Sequence, residues 1–132
     1  MKDFLKKLKE YNKIANIGEI GRRYFVMNSF DGILTILGVL IGSYIAAVKD
    51  SKIIILTGLG TSIAMGISGF WGTYLTEDAE RKKKLSDLQK LTLNNLKESR
   101  LAKAEKTAAI IVSAIDGISP FLSSLIIKFS IN

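Results

Sequence analysis

The chain has 132 residues, of which 48% are hydrophobic and 23% charged, and it contains neither Cys nor His. That length suits one domain, and the missing residue types exclude disulfides, iron–sulfur ligation and the usual zinc sites. The net charge of +7 does not indicate a nucleic-acid partner, because 16 of the 19 Lys and Arg residues lie in two blocks, 2–23 and 81–106, beside apolar stretches. This segregation is typical of a protein whose partner is a lipid bilayer.

Residues 1–20 alternate lysines with apolar side chains. Phe4, Leu8, Tyr11 and Ala15 recur at helical spacing and so fall on one face of a helix. The pattern predicts an amphipathic helix that lies in the cytoplasmic membrane interface. A solvated basic arm is the alternative. No cleaved signal peptide is predicted, because the first apolar run starts late and is longer than a signal-peptide core.

Three later stretches are nearly free of charge. Residues 24–48 contain only Asp31, residues 53–76 contain no charge, and residues 107–127 contain only Asp116. About 20 apolar residues in a helix cross the ~30 Å hydrocarbon core, and a backbone in lipid must satisfy its own hydrogen bonds. We therefore predict an all-α integral membrane protein, a single membrane domain over residues 1–132, with three transmembrane helices, the amphipathic N-terminal helix and a cytoplasmic helical loop.

The connections between these spans fix the predicted topology. Residues 49–52 form a short link that makes the first two spans antiparallel neighbours. Residues 77–106 hold 15 charges and neither Pro nor Gly, which favours a helical segment. Its i, i+4 charge pairs are Glu77–Arg81, Asp78–Lys82 and Glu80–Lys84. The distribution of Lys and Arg places the N-terminus and this segment in the cytoplasm of a multi-pass membrane protein.

Two acids inside the predicted spans, Asp31 and Asp116, are the strongest candidates for function. A charged side chain at the centre of a span costs about 2.5–3.5 kcal/mol, so such residues are rarely there without a role. Counted from the cytoplasmic ends of their spans, Asp31, Asp116 and Met65 lie roughly 12, 15 and 18 Å deep, by the helical rise. The alternative is that the acids only pack, or cap a broken helix.

Small and polar residues line one face of each predicted span. The three faces comprise Asp31, Thr35, Gly38 and Gly42; Gly58, Ser62, Met65, Gly69, Gly72 and Thr76; and Ala109, Ser113, Asp116, Pro120 and Ser123. Small residues let helices approach closely, so packing alone explains most of these positions. It does not explain an acid on two of the three faces.

The donor set of these residues suits a divalent transition metal. Carboxylates are hard donors, whereas the thioether of a methionine is soft and favours a transition metal over Mg²⁺ or Ca²⁺. Glu77 and Glu80, at i, i+3, stand at the cytoplasmic mouth of the second span and could attract cations there. The predicted metal ligands are Asp31, Met65, Asp116, Glu77 and Glu80. Met65 alone is more often core packing.

Two segments resemble the vacuolar iron transporter family in its prokaryotic branch. The first, Arg22 to Thr35, reads RRYFVMNSFDGILT and has a basic residue eight positions before an Asp-Gly. The second, Ala64 to Gly69, reads AMGISG and is followed by Tyr74-Leu75. The resemblance implies export of Fe²⁺ or Mn²⁺ from the cytosol by a homodimer that exchanges metal for protons, with Asp31 and Met65 on the path. The metal would be the transported substrate, and no cofactor is expected.

The sequence also departs from this family. Eukaryotic members have a larger, glutamate-rich cytoplasmic domain, whereas residues 77–106 are lysine-rich. Members usually have five spans, which implies that this chain is a fragment or a short form that needs partner chains. The alternative function is therefore a non-transporting assembly or regulatory subunit, whose intramembrane acids serve helix packing. A membrane enzyme is not expected, because no Ser/His, Cys/His or His-metal set is present.

Overall fold

The computed structural model describes residues 2–93, 96 and 99–130, and the side chains of residues 6–93, 96 and 99–123. Four helices form this part of the chain: α1 (Lys2–Ala15), α2 (Ile17–Ile45), α3 (Ser51–Thr92) and α4 (Arg100–Ser130). These described ranges contain no strand, which confirms the predicted all-α fold. The side chain of Phe4, part of the predicted apolar face, and residues 94, 95, 97 and 98 of the predicted segment 77–106 lie outside the described residues.

Three helices are long and apolar enough to cross a membrane: Ile17–Ile45, Ser51–Thr92 and the described portion Arg100–Ser123 of α4. Large apolar side chains on their outer surfaces remain exposed on the single chain, for example Phe30, Leu59 and Trp71. An apolar surface of this extent is unusual on a soluble monomer but is what lipid requires. The structure therefore confirms a helical, multi-pass membrane protein.

A single residue separates α1 from α2. Asn16 has φ 49° and ψ 39°, a left-handed conformation that Asn tolerates better than most residues. The side chain of Asn12 stabilises the bend, because its Oδ1 accepts a hydrogen bond of 2.6 Å from the backbone N–H of Gly18. α2 thus begins inside the segment predicted as an interfacial helix, seven residues before the predicted start of the first span at Tyr24.

The first helix is amphipathic, and its apolar face packs on the bundle. Ala15 belongs to an apolar cluster with Ala108 and Val112 of α4, and Tyr11 packs against this cluster. The lysines at positions 6, 7, 9 and 13 are exposed. The helix therefore turns its basic side away from the protein, where anionic lipid or solvent would meet it.

The third helix is much longer than a span. Its 42 residues extend roughly 63 Å at 1.5 Å per residue, about twice the thickness of the hydrocarbon core. The boundary predicted after Thr76 falls inside this continuous helix, which ends at Thr92. At the other end, residues 46–50 form the short link from α2, and the Asp50 side chain caps α3 by accepting a 2.9 Å hydrogen bond from the Lys52 N–H.

The fourth helix is the centre of the bundle. α2 and α3 each pack along α4, and their contact with each other is smaller. Apart from Glu105, the buried residues among the described side chains of α4 are small or of medium size: Ala104, Ala108, Ala109, Val112, Ser113, Asp116, Gly117, Ser119, Pro120 and Ser123. Small side chains let two helices lie close to a third. α2 and α3 therefore contact α4 more than they contact each other.

Candidate functional site

Asp31 and Met65 line the same open groove. It runs between α2 and α3, and its walls are Asp31, Leu34 and Thr35 on one side and Thr61, Ala64 and Met65 on the other. Asp31 is exposed and Met65 is half-buried. A carboxylate, a thioether and two hydroxyls thus face one space inside the apolar part of the protein, which is a donor set that a transition metal can use.

Asp116 lies in a different place, at the junction of all three spans. It is 3% exposed, and its Oδ2 accepts a 2.6 Å hydrogen bond from Oγ1 of Thr73 on α3. Nδ2 of Asn28 on α2 donates to the backbone carbonyl of Asp116 at 3.3 Å. Among the described residues, its Oδ1 has no hydrogen-bond partner. The Asp116 carboxyl therefore connects α4 to α3 and is enclosed by protein, whereas Asp31 faces the open groove.

Glu77 belongs to a buried ion-pair cluster near the junction of α1 and the bundle. Its Oε2 accepts a 2.9 Å hydrogen bond from Nε of Arg81, and Nη1 of Arg81 donates to Glu105 of α4. The same Nη1 lies 3.5 Å from the carbonyl of Ala15 at the end of α1. Lys84 donates to the other oxygen of Glu105 at 2.9 Å. Glu77 is thus neutralised by Arg81 in this structure.

Glu80, one turn along α3 from Glu77, is exposed and borders a groove with Lys83, Lys84 and Asp87. The five predicted ligands therefore lie in four separate places, and among them only Asp31 and Met65 line the same groove. Across the described residues, no three acidic side chains come close enough together to hold a metal ion. The predicted pairs Glu77–Arg81 and Asp78–Lys82 form, whereas Lys84 pairs with Glu105.

Several residues of these clusters have no signal in the sequence. Glu105, Asn28 and Thr73 contact their partners across 21 to 88 positions of the chain, so no local pattern indicates them. For Arg81 the sequence does indicate a partner, since Arg81 follows Glu77 by four residues. That spacing predicts an ordinary surface pair, whereas the structure buries Arg81, which is 7% exposed.

The three apolar helices define a multi-pass membrane protein, and a groove with polar side chains lies between two of them. Residues 22–126 match the model of the VIT family, the vacuolar iron transporters. An uncharacterised protein of Methanocaldococcus jannaschii is 37% identical over 110 residues, which cover 81% of this chain and 56% of that relative. No solved structure matches the chain.

The chain belongs to the VIT family, a family of membrane metal-ion transporters. The match includes both segments that resembled the family, the one around Asp31 and the one around Met65, so the predicted relationship is confirmed. The chain spans about half the length of the curated relative that it matches, 56%.

Proposed function

We propose that this chain is the membrane core of a transporter that moves Fe²⁺ or Mn²⁺ out of the cytosol in exchange for protons. The observation that carries the proposal is the shared groove of Asp31 and Met65. The carboxylate supplies charge, and the thioether supplies the soft donor that disfavours Mg²⁺ and Ca²⁺. The metal is cargo in this proposal, and no resident cofactor takes part.

A carboxylate gives this groove a way to couple metal to protons. The Asp31 carboxyl can hold a cation or a proton, but a bound proton removes the negative charge that the cation needs. Loading from one side and protonation from the other would therefore exchange the two ions. Thr35 and Thr61 border the same groove, and their hydroxyls can contribute further oxygen ligands.

The open side of the groove supports a homodimer. Asp31 is exposed on the single chain, at a depth where lipid contact would be costly. A second copy that covers this face would enclose the metal path and shield Asp31 from lipid. Gly38 and Gly42 suit such an interface, because a methyl group added to either would meet no atom of the described chain within 4 Å.

We expect the double substitution Gly38→Leu and Gly42→Leu to weaken the dimer. The added side chains would prevent two α2 helices from approaching closely, and they have room on the single chain, so the fold should persist. Size-exclusion chromatography with light scattering in a mild detergent would measure the shift from dimer to monomer. A wild-type chain that is monomeric at every concentration would contradict the proposed assembly.

The proposed direction of transport requires α1 and the far end of α3 to face the cytosol. We expect a cysteine introduced at Ser86 to be protected from an impermeant thiol reagent in intact cells, and one at Ser51 to react. The sequence contains no native Cys, so labelling reports only the introduced residue. The opposite labelling pattern would reverse the topology.

The function itself is tested by Mn²⁺ entry into proteoliposomes that contain the chain and a metal-quenched dye. Uptake should depend on a proton gradient of the exchanging direction and should fall when an ionophore collapses it. Empty liposomes provide the baseline, and a Ca²⁺ addition tests the preference for transition metals. A folded, dimeric chain without uptake would favour the alternative of a non-transporting subunit.

A further inference from the structure

Each of the two predicted metal ligands in the groove, Asp31 and Met65, is followed by a glycine that contacts α4. Gly32 follows Asp31 on α2, and Gly66 follows Met65 on α3, and both glycines are buried. Neither needs a special backbone angle, since both lie inside regular helices. What they share is a close contact with the same stretch of the central helix.

On the α3 side, the backbones of two helices come into contact. A methyl group added to Gly66 would lie 2.7 Å from the carbonyl oxygen of Gly117 and 2.6 Å from Cε2 of Phe121. A methyl group on Gly117 would in turn lie 3.0 Å from the carbonyl oxygen of Gly66. Neither backbone atom can move aside like a flexible side chain. Any residue larger than glycine here must push α3 away from α4.

On the α2 side, Gly32 contacts α4 at Pro120, three residues after Gly117. A methyl group added to Gly32 would lie 3.0 Å from Cα and 3.3 Å from Cβ of Pro120, and it would also strike Oγ of Ser123. Pro120 is completely enclosed, and its ring is rigid. Gly32 therefore holds α2 against α4 as closely as the backbone permits.

These contacts are made by the glycines that directly follow Asp31 and Met65, the two predicted ligands that line the groove. We propose that the Gly117–Pro120 turn of α4 is a spacer that fixes the separation of Asp31 and Met65 and thereby selects the divalent cation by size. The inference rests on the proposed metal site in the groove. Because α2 and α3 contact each other less than either contacts α4, this turn determines the distance between the carboxylate and the thioether.

The spacing itself can be measured without any metal. Cysteines at Leu34 and Ala64, which line opposite walls of the groove, should be joined within one chain by thiol reagents of a particular length. Gly66→Ala should shift the preferred reagent to a longer one. Gly60→Ala is the matched control, since its added methyl meets nothing within 4 Å, and it should leave the preference unchanged. Identical cross-linking in Gly66→Ala and wild type would overturn the spacer.

Metal preference is the second measurement. Calorimetric titration of the full chain with Mn²⁺ and with the smaller Co²⁺ gives a ratio of dissociation constants. Gly66→Ala should shift that ratio towards the larger Mn²⁺ by about tenfold, the size of effect expected when support of a metal ligand is lost. Gly60→Ala should retain the wild-type ratio. A longer cross-link with an unchanged ratio would refute the link between spacing and selection.

A second variant tests the same proposal if Gly66→Ala does not fold. The pair Gly32→Ala and Ser123→Ala removes the hydroxyl that the new methyl would strike and leaves the milder contact with Pro120, so it widens the groove from the α2 side. It should change the cross-link and the metal ratio in the same directions. If Asp31→Asn binds metal as wild type does, both the proposed metal site and the proposed selection of the cation by size are wrong. The cross-linking result would still show whether α4 sets the distance between α2 and α3.

Discussion

Arg81→Ala is expected to lower the free energy of unfolding by about 3 kcal/mol or more, because removing one partner of a buried ion pair leaves uncompensated charge. Glu77 and Glu105 are each 4% exposed, and Arg81 contacts both. Lys84 would still neutralise Glu105, so the uncompensated buried charge would be mainly that of Glu77. Unfolding with a denaturing detergent, followed by the fluorescence of Trp71, would measure the change.

Two further variants test the cause of that loss. Arg81→Lys keeps the charge but lacks the planar fork that reaches two carboxylates, so its stability should fall between wild type and Arg81→Ala. Lys82→Ala is the matched control: Lys82 pairs with Asp78 at 2.6 Å, but its side chain is 75% exposed, and it should unfold as wild type does. Equal stability of Arg81→Ala and Lys82→Ala would show that the buried cluster does not hold the bundle together.

The membrane-spanning helices were predictable because hydropathy and charge act locally along the chain. A run of about 20 apolar residues is recognisable from its own composition, and three such runs correspond to α2, α3 and α4. Their arrangement was not predictable in this way. α4 becomes central through small buried residues such as Ala108, Ser113 and Gly117, and a stripe of small residues indicates close packing without identifying the partner helix.

The buried face of α3 differs from the face that the sequence predicts. The predicted stripe from Gly58 to Thr76 advances about 3.6 residues per turn, as a straight helix face does. The buried residues are Gly58, Ser62, Gly66, Thr73, Glu77 and Arg81, which follow one another at intervals of four residues except for the interval of seven between Gly66 and Thr73. Two helices that cross at an angle contact each other along such a row. Met65 therefore lies beside the contact with α4 instead of on it, and it borders the groove.

Asp31→Asn is expected to abolish pH-dependent metal binding while the folded dimer persists. The amide keeps the shape of the side chain but removes both the charge that attracts a cation and the group that can take up a proton. The loss should exceed the roughly 10–100-fold that removal of an outer-shell partner costs a metal site. Calorimetric titration of Mn²⁺ at two pH values would measure the affinity and the protons released on binding. Asp87→Asn is the matched control, because it makes the same change at an exposed acid of α3.

Met65→Leu separates selectivity from charge at the same site. Leucine fills a similar volume without the soft sulfur, so Mn²⁺ should still bind through the Asp31 carboxylate and release protons. The preference for Mn²⁺ over Mg²⁺ should fall, since that preference comes from the thioether.

Unchanged affinity and proton release in Asp31→Asn would make Asp31 a structural residue and remove the mechanism of exchange. If Asp31→Asn loses binding but Met65→Leu keeps the full preference, the groove binds metal through oxygen ligands alone, and Thr35 and Thr61, on its two walls, become the next residues to replace.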